Sequence, residues 1–128
     1  KLIAYLNDVK YSFNSYTLNS LTIEMGTPAI LDEAYFKETT QKIIATRERT
    51  KEELRALGYR MDDSKSNFLF VTHDTISMEK LFEDLKKKDI YVRHFSKPER
   101  IANYLRITIG TDEEMDTLIT FLKNYKQS

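Results

Sequence analysis

The chain is 128 residues long, enough for one domain with a genuine core and too short for two of ordinary size. Lysine plus arginine and aspartate plus glutamate both number 20, so the chain lacks the basic excess that marks a nucleic-acid or anionic-membrane partner. Cysteine is absent, which excludes a disulfide scaffold, a thiolate zinc site and cysteine catalysis.

The first residues, from Lys1, carry no signal-peptide pattern, and no apolar run is long enough to span a membrane, so a soluble cytosolic protein is expected. Leu2, Ile3, Leu6 and Val9 fall on one face of a helix already under way at the start, as in a domain excised from a longer chain. Lys10 to Ser15 has no clear period and reads as loop. Thr17 to about Ile30 reads as a helix on the spacing of Leu18, Leu21 and Met25, with Pro28 expected to break it or to open a fresh first turn.

Asp32 to Leu57 is the longest helical stretch, capped by Asp32 and ended by Gly58. Its apolar residues cluster early (Tyr35, Phe36, Ile43, Ile44) and late (Leu54, Leu57). Between them, residues 46–53 offer almost nothing to bury. Such a helix either runs between two bodies or lies on a surface laced with i,i+4 charge pairs, and this segment alone does not decide.

From Tyr59 the pattern changes. Tyr59 to Met61 is a possible edge strand, and the continuous apolar run Asn67 to Val71 suits a central strand covered on both faces. A helix follows, capped by Asp74, Thr75 or Ser77, with Met78, Leu81, Phe82 and Leu85 as its apolar stripe. Ile90 to Phe95 and Tyr104 to Ile109 read as strands whose short connection requires antiparallel pairing. Thr111-Asp-Glu-Glu114 has the form of a capping box, opening a last helix with Met115, Leu118, Ile119 and Leu122 on one face and Lys123 and Lys126 at its end. The expected fold is α+β: a small mixed or antiparallel sheet with helices packed on one face, preceded by a long helical arm. The expected organisation is a helical linker (1–31), a long helix (32–57) and an α/β sandwich (58–128).

Two residues stand out chemically. Along 104–109, Leu105, Ile107 and Ile109 alternate with Tyr104, Arg106 and Thr108, so Arg106 sits mid-strand on the face opposite the aliphatic one. Arg93 alternates with Val92 in the same way and is flanked by Tyr91 and Phe95. Simple antiparallel pairing brings Arg93 and Arg106 close together, and neighbouring guanidiniums repel unless an anion lies between them. An arginine fork grips carboxylate or phosphate bidentately. The alternative is an arginine satisfied by an internal carboxylate or pointing into water. His73 and His94 lack a metal-like partner at i+3 or i+4 and read as surface or strand-end residues. Asp62-Asp63 reads as a polar turn, Lys86-Lys-Lys88 as a solvated helix end, and Tyr5, Tyr11, Tyr16 and Tyr35 as packing. No glycine-rich phosphate loop, Ser-His-Asp order or HExxH is present.

The segment "IYVRHFSKPERIANYLRITIGTDEEMDTLITFL", and above all "YLRITIGTDEE" with "VRHF" before it, resembles the closing segment of the histidinol-phosphate aminotransferase family of fold-type I pyridoxal-phosphate enzymes. Upstream, "SFNSYTLNSLT", "KIIATRERTKEELRALGY" and "SKSNFLFV" resemble that family's segments in the same order. The resemblance implies the C-terminal small domain of an enzyme that moves an amino group between histidinol phosphate and 2-oxoglutarate, a step of histidine biosynthesis. It implies that Arg106 binds the substrate carboxylate or phosphate and that Arg93 is a second phosphate contact. Asn67 and Tyr16 fall in segments that face the family's cleft. The family's cofactor lysine lies in a Ser-Lys motif expected upstream of Lys1, and no lysine here stands in such a context, so this chain alone is expected to hold no pyridoxal phosphate covalently and to be inactive. The resemblance further implies a small-molecule substrate, no nucleic-acid or membrane partner, a cytoplasmic location and a homodimer for the whole enzyme. Related aminotransferases, a threonine-phosphate decarboxylase and a stand-alone small-anion-binding module are the alternatives.

Overall fold

The computed structural model describes residues 1–12 and 16–125. The chain divides into two compact units, Lys1–Lys37 and Glu38–Ser128.

The first unit is helical. Helix α1 spans Leu2–Ser12, so Lys10 to Ser12 continue the helix instead of opening a loop; the rest of that expected loop, 13–15, lies outside the described residues. Helix α2 spans Ser20–Leu31 and starts at Asn19, whose side chain accepts from the Thr22 amide at 2.8 Å. Pro28 neither breaks this helix nor opens a new one. It stands in the last turn, where its missing N–H forfeits a single backbone bond and its carbonyl still accepts from Asp32. Neither helix buries a residue: Leu2, Ile3, Leu6, Leu21 and Met25 are all exposed, as is Leu18, which lies ahead of α2 instead of within it as expected. Tyr5, Tyr11, Tyr16 and Tyr35, read as packing, are each more than half exposed, and Lys10 lies over the Tyr11 ring at 5.1 Å.

Helix α3, Glu33–Ala56, begins in the first unit and supplies the second with its long C-terminal part. Asp32 caps it through the Tyr35 amide at 3.0 Å. Gly58, at φ 88°, ends it: the Gly58 amide bonds to the Arg55 carbonyl and the Tyr59 amide to that of Leu54, returning two orphan carbonyls to use. The polar middle is not bare. Thr46, Arg47, Thr50 and Lys51 are buried, because each finds a partner and so avoids the cost of an unsatisfied polar group. Thr46 donates to Asp112, Arg47 to the Ser66 carbonyl, Thr50 to the Thr46 carbonyl, and Lys51 to Glu48 and Asp63.

The rest is a four-stranded antiparallel sheet in the order β1-β2-β4-β3, with β1 at Arg60–Met61, β2 at Phe68–Thr72, β3 at Arg93–His94 and β4 at Leu105–Thr108. Helix α4, Met78–Lys86, is capped by Ser77, and α5, Asp112–Asn124, opens with the complete Thr111–Glu114 capping box. Lys123 closes α5 as expected, while Lys126 lies outside the described residues. Leu54, Leu69, Val71, Met78, Leu81, Leu105, Ile107 and Leu118 form one core between the aliphatic sheet face and the helices. Strand β2 buries Leu69 and Val71 in this core, whereas Phe68 and Phe70 look the other way, where only Thr72 of this strand, which donates to the Asn103 carbonyl, is fully buried.

The expected strand 90–95 is shorter than its sequence suggests. After α4, Asp89 adopts φ 58° and the Ile90 amide turns back to the Leu85 carbonyl, so the helix exit uses the residues that would begin the strand. Only Arg93 and His94 join the ladder. Ile90, Tyr91 and Val92 instead line a cavity of about 410 Å³ with Ile107, Thr108 and Met115.

Candidate functional site: a paired-arginine anion cleft

The open sheet face carries the site. In an antiparallel ladder, directly opposed residues project from the same face. Phe70 opposes Arg106 across β2 and β4, and Arg106 opposes Arg93 across β4 and β3, so one row runs aromatic, cation, cation across three strands. Leu105 and Ile107, at alternate positions, anchor β4 in the core and aim Arg106 outward.

Aromatic rings surround the two cations. The Arg106 guanidinium carbon lies 5.2 Å from the Phe68 ring centre and 6.0 Å from that of Phe95, and that of Arg93 lies 5.0 Å from Phe95. Phe70 stacks on Tyr104 at 4.6 Å and meets Phe95 edge-on at 6.2 Å. Arg106 is half-buried and its Nε is buried without a hydrogen-bond partner. Neither Arg93 nor Arg106 forms an ion pair among the described residues, whereas Arg47, Arg49, Arg55 and Arg60 all do. An internal carboxylate therefore does not account for Arg106. Two adjacent guanidiniums with free donors, held in a wall of low polarity, suit an anion able to accept from both.

The other candidates are structural. The His94 Nε2 is 2.7 Å from the Ala102 carbonyl, and His73 Nδ1 accepts from the Thr75 amide. Asp63 is paired with Lys51 and Lys65, and their hydrogen bonds pull its carboxyl down to about 2. Lys87 is paired with Asp84. Asn67 is exposed at the start of β2, where its carbonyl accepts from the Ile109 amide. Among the described residues no group of three or more His, Cys, Asp or Glu can hold a metal, and no helix is long and apolar enough to cross a membrane. Among the described residues, the buried lysine is Lys51. Its hydrogen bonds to Asp63 and Glu48 raise its pKa and hold it protonated, the opposite of what imine formation with a cofactor aldehyde needs. Lys51 therefore does not fit covalent attachment of pyridoxal phosphate.

The sequence pattern located the two arginines and placed Phe95 beside Arg93, but did not place the rings of Phe68 and Phe70 with them. Phe68 and Phe70 were part of a run that suggested a doubly covered strand. The usable signal was their alternation with Leu69 and Val71, once that strand is paired with the one bearing Arg106.

The family model for aminotransferase class I and II matches residues 1–122. The chain belongs to that family. It is 53% identical over 95% of its length to the histidinol-phosphate aminotransferase of Brachyspira hyodysenteriae, and 51% identical over 96% to that of Lactococcus lactis subsp. cremoris. In each case it spans 34% of the relative, about a third of the length of the curated proteins it matches. Among solved structures, the histidinol-phosphate aminotransferase from Clostridium acetobutylicum superposes with a TM-score of 0.66 at 28% identity, over 72% of this chain and 28% of that one. The aminotransferase class I and II family implies pyridoxal phosphate as the cofactor of the full-length enzyme.

Proposed function

We propose that this chain is the substrate-anion half of a histidinol-phosphate aminotransferase active site, with Arg106 as the principal anion ligand and Arg93 as the second. The observation that carries the reading is the opposition of two cations, neither ion-paired among the described residues, on one open sheet face. Its support in sequence is the 53% and 51% identity to relatives bearing that name. Residues 58–128 form the small domain, 32–57 its long helix, and 1–31 the connection to a larger domain.

When bound in the whole enzyme, pyridoxal phosphate would supply the amino-carrying chemistry. The contribution of this chain is binding and orientation. Arg106 grips the glutamate carboxylate in one half-reaction and the histidinol phosphate group in the other. Arg93 adds a charge that favours the more highly charged phosphate. The surrounding rings lower the polarity around the half-buried Arg106 and strengthen its charge-assisted hydrogen bonds. The whole enzyme acts as a cytoplasmic homodimer on small-molecule substrates, as the family resemblance implies.

The test is steady-state kinetics of the full-length enzyme with histidinol phosphate and 2-oxoglutarate. Arg106→Ala is expected to raise KM for both, and Arg106→Lys to recover only part of the loss, because an ammonium cannot reproduce the fork. Unchanged KM values in Arg106→Ala refute the site. An upstream reading frame without a cofactor lysine, or no turnover of histidinol phosphate, refutes the activity.

A further inference from the structure

We infer that Phe95 is a positioning residue for the arginine pair: its ring holds both guanidiniums in the geometry that receives the anion. The inference rests on the anion-site reading above and adds to it a residue that acts through the two arginines.

The placement of Phe95 is unusual among the rings of this face. Phe68 contacts Arg106, and Phe70 and Tyr104 contact other rings, but Phe95 is shared by both cations, 5.0 Å from Arg93 and 6.0 Å from Arg106. It lies two residues beyond Arg93, on the same side of the extended chain. Its own position is braced by Phe70, whose ring meets it at 71° and is in turn stacked nearly flat on Tyr104. A chain of ring contacts thus runs from Tyr104, beside β4, through Phe70 of β2 to Phe95, beside β3.

The electrostatics give this arrangement a purpose. Before an anion arrives, Arg93 and Arg106 repel across the ladder, and each long side chain has rotamers that swing it into water. The negative face of an aromatic ring attracts a guanidinium without neutralising it and without occupying its hydrogen-bond donors. A carboxylate in the same place would attract more strongly but would compete with the ligand. Phe95 therefore restrains both arginines while leaving their N–H groups free, so the ordering cost is met before binding. Leucine would keep the apolar contact with Phe70 and lose the ring quadrupole. Tyrosine keeps both.

The experiment uses full-length enzyme with its cofactor, comparing wild type with Phe95→Leu, Phe95→Tyr and Arg106→Ala. The measurements are kcat, KM for histidinol phosphate and the inhibition constant of inorganic phosphate. Phe95→Leu is expected to raise KM and the phosphate inhibition constant about tenfold, as expected for two ring contacts, with kcat at saturation retained. Phe95→Tyr is expected to restore both constants to within about twofold, since its ring quadrupole is similar. If Phe95→Leu does not yield folded holoenzyme, Phe95→Met is read in its place. Normal constants in Arg106→Ala overturn the anion site itself. Impaired Arg106→Ala with normal Phe95→Leu overturns the role of Phe95 alone. Equal impairment in Phe95→Leu and Phe95→Tyr, or a fall in kcat alongside lower thermal stability, assigns Phe95 to packing and overturns the inference.

Discussion

Replacing Arg106 by methionine should make the ligand-free protein more stable while destroying its anion site. Methionine keeps the apolar stem that follows β4 outward and removes the charged head. Two penalties disappear. The buried Nε has no partner, and an unsatisfied buried donor costs about 1–3 kcal/mol. The opposed Arg93 repels it; at a strand spacing of about 5 Å this is worth roughly 1 kcal/mol, near the lower limit because Arg93 is exposed. Against these stand two ring contacts, to Phe68 and Phe95, worth about 0.5–1 kcal/mol each. The balance is a gain of about 1 kcal/mol. Urea unfolding followed by far-UV circular dichroism measures it, since the chain has no tryptophan. Repeating the titration in inorganic phosphate at 100 times its dissociation constant should stabilise the wild type by about 2.7 kcal/mol and the variant not at all. A ligand-free variant less stable by 1 kcal/mol or more would show that the guanidinium is already satisfied, and the argument for an unfilled anion site would fall.

Three further outcomes follow from structure outside the site. Asp89 occupies a left-handed position that favours glycine, so Asp89→Gly should raise stability by about 0.5–1 kcal/mol in the same urea assay, with a loss counting against the turn geometry. Asp63 is held at about 2 by its hydrogen bonds from Lys51 and Lys65, well below its ordinary value near 3.8. The unfolded chain therefore takes up this proton first, and the contribution present above pH 4 is lost as pH falls towards 2; acid titration of Asp63→Asn should show a shallower fall. Burial pushes the Tyr59 hydroxyl up to about 12, and that hydroxyl has no partner. The unfolded chain ionises first here, so stability is lost as pH rises from 10 to 12. Tyr59→Phe should remove part of that alkaline loss at little cost near neutrality, the rest coming from Tyr125, which is also raised to about 12.

Much of the second unit was legible because its signals are local. The capping box at Thr111–Glu114, the glycine at 58 and the alternation in 104–109 each specify geometry within a few residues, and each stands where expected. The arginine pair was legible for the same reason, since alternation plus a short connection leaves few registers. What escaped depends on partners far along the chain. Residues 46–53 looked unburiable because polar residues enter an interior only when specific groups meet them, here Asp63, Ser66 and Asp112. The strand 90–92 competes with the exit of α4, and the backbone bond from Ile90 to Leu85 decides that competition. The ring around Arg106 draws on three strands, and no single window of sequence contains it.

The burial of α3 through polar side chains has a mechanical consequence. A greasy stripe tolerates sliding, because one methyl replaces another at nearly the same energy. Here Arg49 reaches Asp112 at 2.9 Å and Asp116 at 2.6 Å, and Thr46 reaches the same Asp112. A rotation of one residue or a slip of one turn would strand all of these groups at once. The long helix is therefore keyed to α5 in a single phase, like a toothed shaft and not a smooth one. Because only residues 109–111 separate α5 from the strand that carries Arg106, the contacts that fix the phase of α3 begin, at Asp112, directly after that three-residue link.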